Sequence, residues 1–195
     1  QLNPSTAKCV ACASELSASA IDVLIFSDQC GDAAASAASI AGVSRVLTAE
    51  SPQNKDPLAA VLAPQAVAVA ADYDYVFGPS TTFGKDLLPR IAALLGVGQV
   101  SDIMTVEAPR SFTRPVYAGN AILTVDVPQG KKIVATVRTA SWKEAPTGGS
   151  AAIESISPAA DIPTHTRFVE LAAAASERPD LQTAKKVISG GRGVG

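Results

Sequence analysis

Histidine is almost absent from this chain: His165 is the only one in 195 residues, accompanied by one tryptophan, one methionine and three cysteines. A zinc site built on several histidines is therefore excluded, and a serine–histidine–aspartate triad would have to use His165. That residue lies in Ile162-Pro163-Thr164-His165-Thr166, which reads as the exposed, polar start of a helix rather than as part of a cleft. Charge is scarce too, at 17%, with 16 basic against 18 acidic side chains, a pI near 5.4 and no basic run. Such a chain has no surplus positive field with which to release counterions from a polyphosphate, so nucleic acid is excluded as a partner. Long apolar runs are missing as well. Asp72, Asp74, Lys85 and Asp86 interrupt the best candidates, far short of the ~20 apolar residues of a spanning helix, so no stable membrane insertion is expected. No signal peptide is visible, and an odd cysteine count without secretory context favours a reducing compartment.

What is present is a large apolar fraction. Hydrophobic residues make up 47% of the chain and the mean hydropathy is +0.22, which argues for a buried core and against disorder. The length suits one domain, or one domain plus a piece of another. Strand-length apolar runs alternate with Ala-rich helical stretches, predicting an α/β fold. Its sheet is expected to be mostly parallel and twisted, with helices on both faces and antiparallel additions: a Rossmann-like three-layer sandwich. Strands are expected at 21–26, 44–48 and 75–77. Helices are expected at 32–41 with a stop at Gly42, at 57–71 despite Pro64, and from a Thr81 or Thr82 cap through Leu95. Runs at 102–106, 111–117, 121–127 and 132–138 are separated only by turns, and read as a strand followed by antiparallel additions. A loop at 147–150 and a polar stretch from 155 lead to a last helix at about 165–176, and the residues 177–180 look like the end of the domain.

Both ends read as cut. Residues 1–16 carry helical spacing at Val10, Ala13 and Leu16 with no strand before them, although a sheet of this kind normally opens with a strand. At the other end a short strand at 185–189 runs into a glycine-rich turn, Ser189-Gly190-Gly191-Arg192-Gly193, after which a helix is expected but absent. Successive glycines let backbone N–H groups approach a phosphate, and Arg192 can add a charge-assisted fork. Taken alone, the turn is either such a site or a plain terminus.

Other motifs have structural readings beside functional ones. Cys9-Val10-Ala11-Cys12 matches C-x-x-C but sits in a helix without a preceding strand, where two small buried side chains one turn apart are expected. Cys30 is expected in a loop. The segment 78–85, Gly-Pro-Ser-Thr-Thr-Phe-Gly-Lys, follows a strand and opens a helix. It either caps that helix or holds an anion, and its glycine spacing is not that of a P-loop. Asp102 would be an acid or a metal ligand only if a second carboxylate converged on it, and otherwise reads as a strand-end residue. Tyr117 and Trp142 read as packing or interface aromatics.

Several segments together carry a resemblance: Asp86-Leu87-Leu88-Pro89-Arg90-Ile91, Ser101-Asp102-Ile103, Arg114-Pro115-Val116-Tyr117-Ala118-Gly119-Asn120-Ala121, Val137-Arg138-Thr139-Ala140-Ser141-Trp142, Glu177-Arg178-Pro179-Asp180-Leu181 and Ser189-Gly190-Gly191-Arg192-Gly193. In this order and spacing the chain resembles the alpha subunit of electron transfer flavoprotein over essentially its whole length.

That resemblance implies a heterodimer with a beta subunit, carrying one FAD. Such a heterodimer takes electrons from flavin dehydrogenases such as the acyl-CoA dehydrogenases and passes them to a membrane quinone oxidoreductase, with no substrate turnover of its own. It further implies that residues 1–183 are an N-terminal α/β domain without its first strand, and that 184–195 open an FAD-binding domain whose remainder lies beyond Gly195. Only Ser189, Gly190, Gly191, Arg192 and Gly193 then belong to the cofactor site, Arg192 matching a family arginine that contacts FAD on the ring or the pyrophosphate. The rest of the chain is scaffold and subunit interface. The compartment implied is the mitochondrial matrix in a eukaryote or the cytoplasm in a bacterium. The competing reading is a nucleotide-binding module of the stress-response type, holding ATP or AMP at residues 78–85.

Overall fold

The computed structural model describes residues 2–172, 181, 184 and 186–194. Helix α1 (Ser5–Ser14) precedes strand β1 (Asp22–Ser27). It is followed by α2 (Gly31–Ala38), β2 (Arg45–Glu50), α3 (Ala59–Val69), β3 (Tyr75–Pro79), α4 (Thr82–Leu94) and β4 (Gln99–Ile103). Next come β5 (Thr105–Ala108), β6 (Ser111–Val116), β7 (Ala121–Asp126), β8 (Ile133–Val137) and β9 (Ala152–Ser155). The strands form three three-stranded sheets. Two are wholly parallel, in the orders β1-β2-β9 and β3-β8-β4, and the third, β5-β6-β7, is antiparallel.

The two-residue side-chain period of the strands generates the layers. Leu24 and Phe26 of β1, Val76 of β3 and Val134 of β8 face one way, into a core shared with Leu62 of α3 and with Leu88 and Ile91 of α4. Their neighbours face the other way. Val23 and Ile25 meet Val10 of α1 and Ala34 and Ala37 of α2, while Tyr75, Phe77, Ile133 and Ala135 meet Cys12 and Leu16. Helices thus cover both faces of the parallel strands, as the alternating pattern predicts, and α1 lies across both parallel sheets. Phe112 of β6, fully buried, anchors the antiparallel sheet in the second core.

The inner edges of the parallel sheets are unpaired. Ile21 and Ser27 accept from residues flanking β2, so the intervening Leu24 and Phe26 turn their N–H and C=O groups to the opposite side of β1. Asp74 and Ser80 bond to β8, which leaves Tyr75 and Phe77 turned away from it. Among the described residues no backbone partner meets either set.

Four expectations are corrected. The run at 132–138 is not an antiparallel addition: it is β8, the central parallel strand between β3 and β4, because its five residues are all buried and need cover on both faces. The run at 102–106 is two strands, broken where Asp102 takes φ 61° and the β4–β8 register shifts. Residues 165–172 form no helix, and 186–189 form no strand. Both segments are exposed, so no packing supports their weak local periodicity. The rest of the expected last helix, and the residues 177–180, lie outside the described residues. Strand β9, which pairs with β2, falls between the loop expected at 147–150 and the polar stretch from 155, where the sequence reading places no element because the apolar run Ala151-Ala152-Ile153 is so short.

Candidate functional site

A short strand-to-helix turn forms one wall of a cavity. Thr81 caps α4, its side-chain oxygen accepting from Gly84 N–H at 3.5 Å. A Cβ on Gly84 would lie 1.8 Å from the Pro79 carbonyl oxygen, so only glycine lets β3 turn this tightly into α4. The turn brings Ser80 and Lys85 to a cavity of about 430 Å³ whose other walls include Gln99, Asp102, Arg114 and Thr136.

Polar groups in this cavity are arranged but incompletely paired. Thr136 Oγ1 of β8 accepts from the Asp102 N–H at 2.8 Å, and Arg138 donates through Nη1 to Asp102 Oδ2 at 2.8 Å. Asp102 is thereby neutralised by a cation rather than joined by a second carboxylate. Asp102 is the fourth of the five residues of β4, and no other carboxylate lines this cavity. In contrast, Ser80 Oγ, Gln99 Oε1 and Arg114 Nε are buried atoms without a partner.

A second polar cluster ties the amino ends of β1 and β2 to β9. Arg45 donates to Asp22 Oδ2 at 2.7 Å and to Glu154 Oε2 at 3.2 Å, and Tyr73 Oη donates to Asp22 Oδ2 at 2.5 Å. Burial, and next the bond to Asp22, push the Tyr73 phenol up to about 12. This cluster clamps strands together.

The remaining sequence-marked residues divide clearly. Cys9 and Cys12 are free thiols inside α1, held neutral by burial, with Cys9 pushed up to about 12. No redox pair exists there. Cys30 is buried at the start of α2 and its thiol is also raised, by burial and then by Glu50. His165 is exposed. Trp142 packs at the edge of the second core and points Nε1 at the Ile103 carbonyl, whereas Tyr117 is 83% exposed at the tip of the β6–β7 hairpin. Tyr117 and Ala118 both adopt left-handed φ, at 51° and 56°.

No residue of the glycine turn is among those lining this cavity. Ser189, Gly190, Gly191, Arg192 and Gly193 are all exposed, Arg192 opens a single 3₁₀ turn through Val194, and the Val194 N–H bonds the Gly191 carbonyl at 3.1 Å. A Cβ at Gly191 or Gly193 would meet nothing within 4 Å, which leaves their backbone open to a ligand. Sequence reasoning named this turn but missed the cavity's Arg114, Gln99 and Thr136, which come together only through the pairing of β4 and β8 and the fold of β6 over them.

Comparison with known proteins settles the family. The family model described as "Electron transfer flavoprotein domain" matches residues 1–161. The chain belongs to the electron transfer flavoprotein family. It is 43% identical over 175 residues to an electron transfer flavoprotein subunit alpha of Pseudomonas aeruginosa, covering 89% of this chain and 56% of that protein. The corresponding subunit of Paracoccus denitrificans is 42% identical over 190 residues, 97% of this chain and 60% of its own length. A relative from Dictyostelium discoideum, named as the mitochondrial alpha subunit, is 38% identical over 210 residues, with all of this chain and 59% of that protein covered. The chain therefore spans between half and two thirds of the length of these electron transfer flavoprotein relatives. The family's name implies a flavin, and the donor set of 189–193 fits one: open backbone amides and a guanidinium match the pyrophosphate of a dinucleotide.

Proposed function

We propose that the chain is the N-terminal part of the alpha subunit of a heterodimeric, FAD-containing electron carrier. In this reading the carrier draws electrons from flavin dehydrogenases, acyl-CoA dehydrogenases among them, and delivers them to a membrane quinone oxidoreductase. The protein itself turns over no substrate. The observation that carries the reading is the family match over residues 1–161 together with 42–43% identity to two bacterial alpha subunits. Bound FAD supplies the redox chemistry, since it gains or loses electrons one or two at a time. The domains divide at about residue 183, with 184–195 opening the cofactor domain. The compartment follows the source: mitochondrial matrix in a eukaryote, cytoplasm in a bacterium.

The residues of this chain have two tasks in the proposal. Ser189 to Gly193 hold the cofactor's phosphates with backbone amides, and Arg192 adds a fork of donors to the same group. The β6–β7 hairpin meets the beta subunit. Its tip and outer strand present Tyr117, Ile122 and Leu123, which are 83%, 56% and 47% exposed, and that much apolar surface on one hairpin favours a protein partner.

The test is the visible spectrum of the full-length subunit co-purified with its beta subunit. A bound-flavin spectrum is expected, and Arg192→Lys is expected to weaken FAD retention about tenfold because an ammonium cannot reproduce the fork. A folded, colourless heterodimer that takes up no added FAD overturns the carrier reading. Unchanged retention and potential in Arg192→Lys overturn the role of Arg192 alone. The nucleotide-module reading loses its ground in the family match, and tight ATP binding with no flavin is the result that restores it.

A further inference from the structure

Three of the four buried side-chain polar atoms without a partner among the described residues, Ser80 Oγ, Gln99 Oε1 and Arg114 Nε, line one cavity. Buried polar atoms are ordinarily paired, and leaving each one unpaired costs about 1–3 kcal/mol. The three residues that carry these atoms, Ser80, Gln99 and Arg114, line the same cleft, which makes its wall polar.

The charges narrow what it is. Lys85 and Arg114 both line the cavity and make no ion pair among the described residues. The one carboxylate in the wall, Asp102, is already matched by Arg138 at 2.8 Å. Lys85 is exposed and Arg114 half-buried, and two cations on one cleft wall favour a doubly charged anion over the single charge of a protein carboxylate. The Ser80 hydroxyl can donate to the same anion. Gln99 donates its amide N–H to Ser101 Oγ at 3.2 Å, which leaves Oε1 to accept from a hydroxyl of the ligand. The volume, about 430 Å³, exceeds what phosphate alone fills and suits a small molecule.

We propose that this cavity binds a phosphorylated, hydroxyl-bearing small molecule, with its phosphate between Arg114 and Lys85 and its hydroxyls toward Gln99. The site is separate from the glycine turn and does not depend on flavin. No aromatic ring lines it, so recognition rests on phosphate and hydroxyl groups and not on base stacking.

The experiment titrates the full-length subunit, in complex with its beta subunit, with ribose 5-phosphate and separately with inorganic phosphate. Calorimetry gives the affinities, and the Arg114 Nε–H resonance reports occupancy directly. Saturable binding of ribose 5-phosphate, tighter than phosphate, is expected to shift that resonance. Arg114→Gln and Lys85→Gln should each weaken binding roughly tenfold, while Arg90→Gln, an exposed cation of α4 outside the cavity, leaves it unchanged. Ser80→Ala removes one donor without altering charge and gives a second reading should Arg114→Gln fail to fold. Binding unaffected by Arg114→Gln and Ser80→Ala, or no saturable binding of either probe, overturns the proposal. Inorganic phosphate binding as tightly as ribose 5-phosphate overturns the hydroxyl contact and with it the ligand class. If the Arg114 signal differs between the free subunit and the complex and moves no further when either probe is added to the complex, the cleft receives a group of the beta subunit and the proposal fails.

Discussion

Arg138, just past the end of β8, reaches back to Asp102 in β4 and holds its carboxylate at 2.8 Å, while Asp102 itself stands in the left-handed region at φ 61°. Aspartate tolerates that backbone better than most residues, and here the strain is shared with a second contact, the bond from its N–H to Thr136 Oγ1. Backbone and side chain of one residue thus lock β4 to β8 at the point where their register shifts.

Substitution at this position separates the two contributions. Asp102→Asn keeps a residue that accepts the left-handed conformation and loses only a half-exposed ion pair, so it is expected to cost less than about 1 kcal/mol. Asp102→Val places a β-branched side chain at φ 61° and is expected to cost about 2–3 kcal/mol. Urea denaturation measures both, and equal losses for the two variants would show that the backbone conformation contributes nothing.

The β3–α4 turn makes a sharper demand. At Gly84 an added Cβ falls 1.8 Å from a backbone oxygen that cannot swing aside. Gly84→Ala is therefore expected to destabilise by several kcal/mol, on the order of 3 or more, and to lower the yield of folded protein. Gly31, in the first turn of α2, has nothing within 4 Å of its Cβ position. Gly31→Ala should leave stability unchanged or raise it by up to ~1 kcal/mol, since alanine is the better helix former. A thermal melt of the two variants side by side decides whether space, and not glycine as such, is what matters.

Alkaline pH should weaken the fold. Burial raises the Cys9 thiol from its ordinary 9.0 to about 12, raises Cys12 further, and raises Tyr73 from 10.0 to about 12. For an acid whose folded-state value is raised, the native chain keeps a proton that the unfolded chain releases, so stability falls as pH rises. The loss begins near pH 9, where unfolded thiols ionise, and continues toward pH 12. The urea midpoint should be flat through neutral pH and decline across that window, with a shallower slope in Cys9→Ala. A midpoint that rises over the same range would contradict the burial of these thiols.

Much of the fold was legible because the parallel strands and their helices carry strong, local signals: the apolar run of β1 and the Thr81 cap. The stop expected at Gly42 comes earlier, since α2 ends at Ala38 with Ser39 as its C-cap. The place of β8 was not legible. Its five buried residues and those of an edge strand in a hairpin look alike in sequence, and only the long-range pairing with β3 and β4 tells them apart. The site divides the same way. The glycine turn is a contiguous motif that stands out in the sequence as a unit, whereas the cavity joins Ser80, Gln99, Arg114 and Thr136 from four separate segments, none of which signals the others.

The unpaired edges of β1 and β3 carry the last prediction. Leu24 and Phe26 on one strand, and Tyr75 and Phe77 on the other, turn backbone donors and acceptors away from their established neighbours. Partly buried strand edges left in this state are unfavourable, because each unsatisfied peptide group costs free energy that a neighbouring strand would recover. Helix α1 crosses both parallel sheets and leads into β1, which is the place of a crossover helix in a β-α-β unit. We propose that an extended segment preceding α1 in the full-length protein lies between β1 and β3, parallel to both, and joins the two sheets into one. Hydrogen exchange measures this at single amides. In a chain lengthened by that segment, the amides of Leu24, Phe26, Tyr75 and Phe77 should exchange at least roughly tenfold more slowly than in the chain starting at Gln1. Those of Val23, Ile25 and Val76, already committed to β2 and β8, should change far less. Uniform slowing across all seven would mean that the segment adds only global stability, and unchanged exchange at Leu24 and Phe77 would mean that it does not enter the sheet.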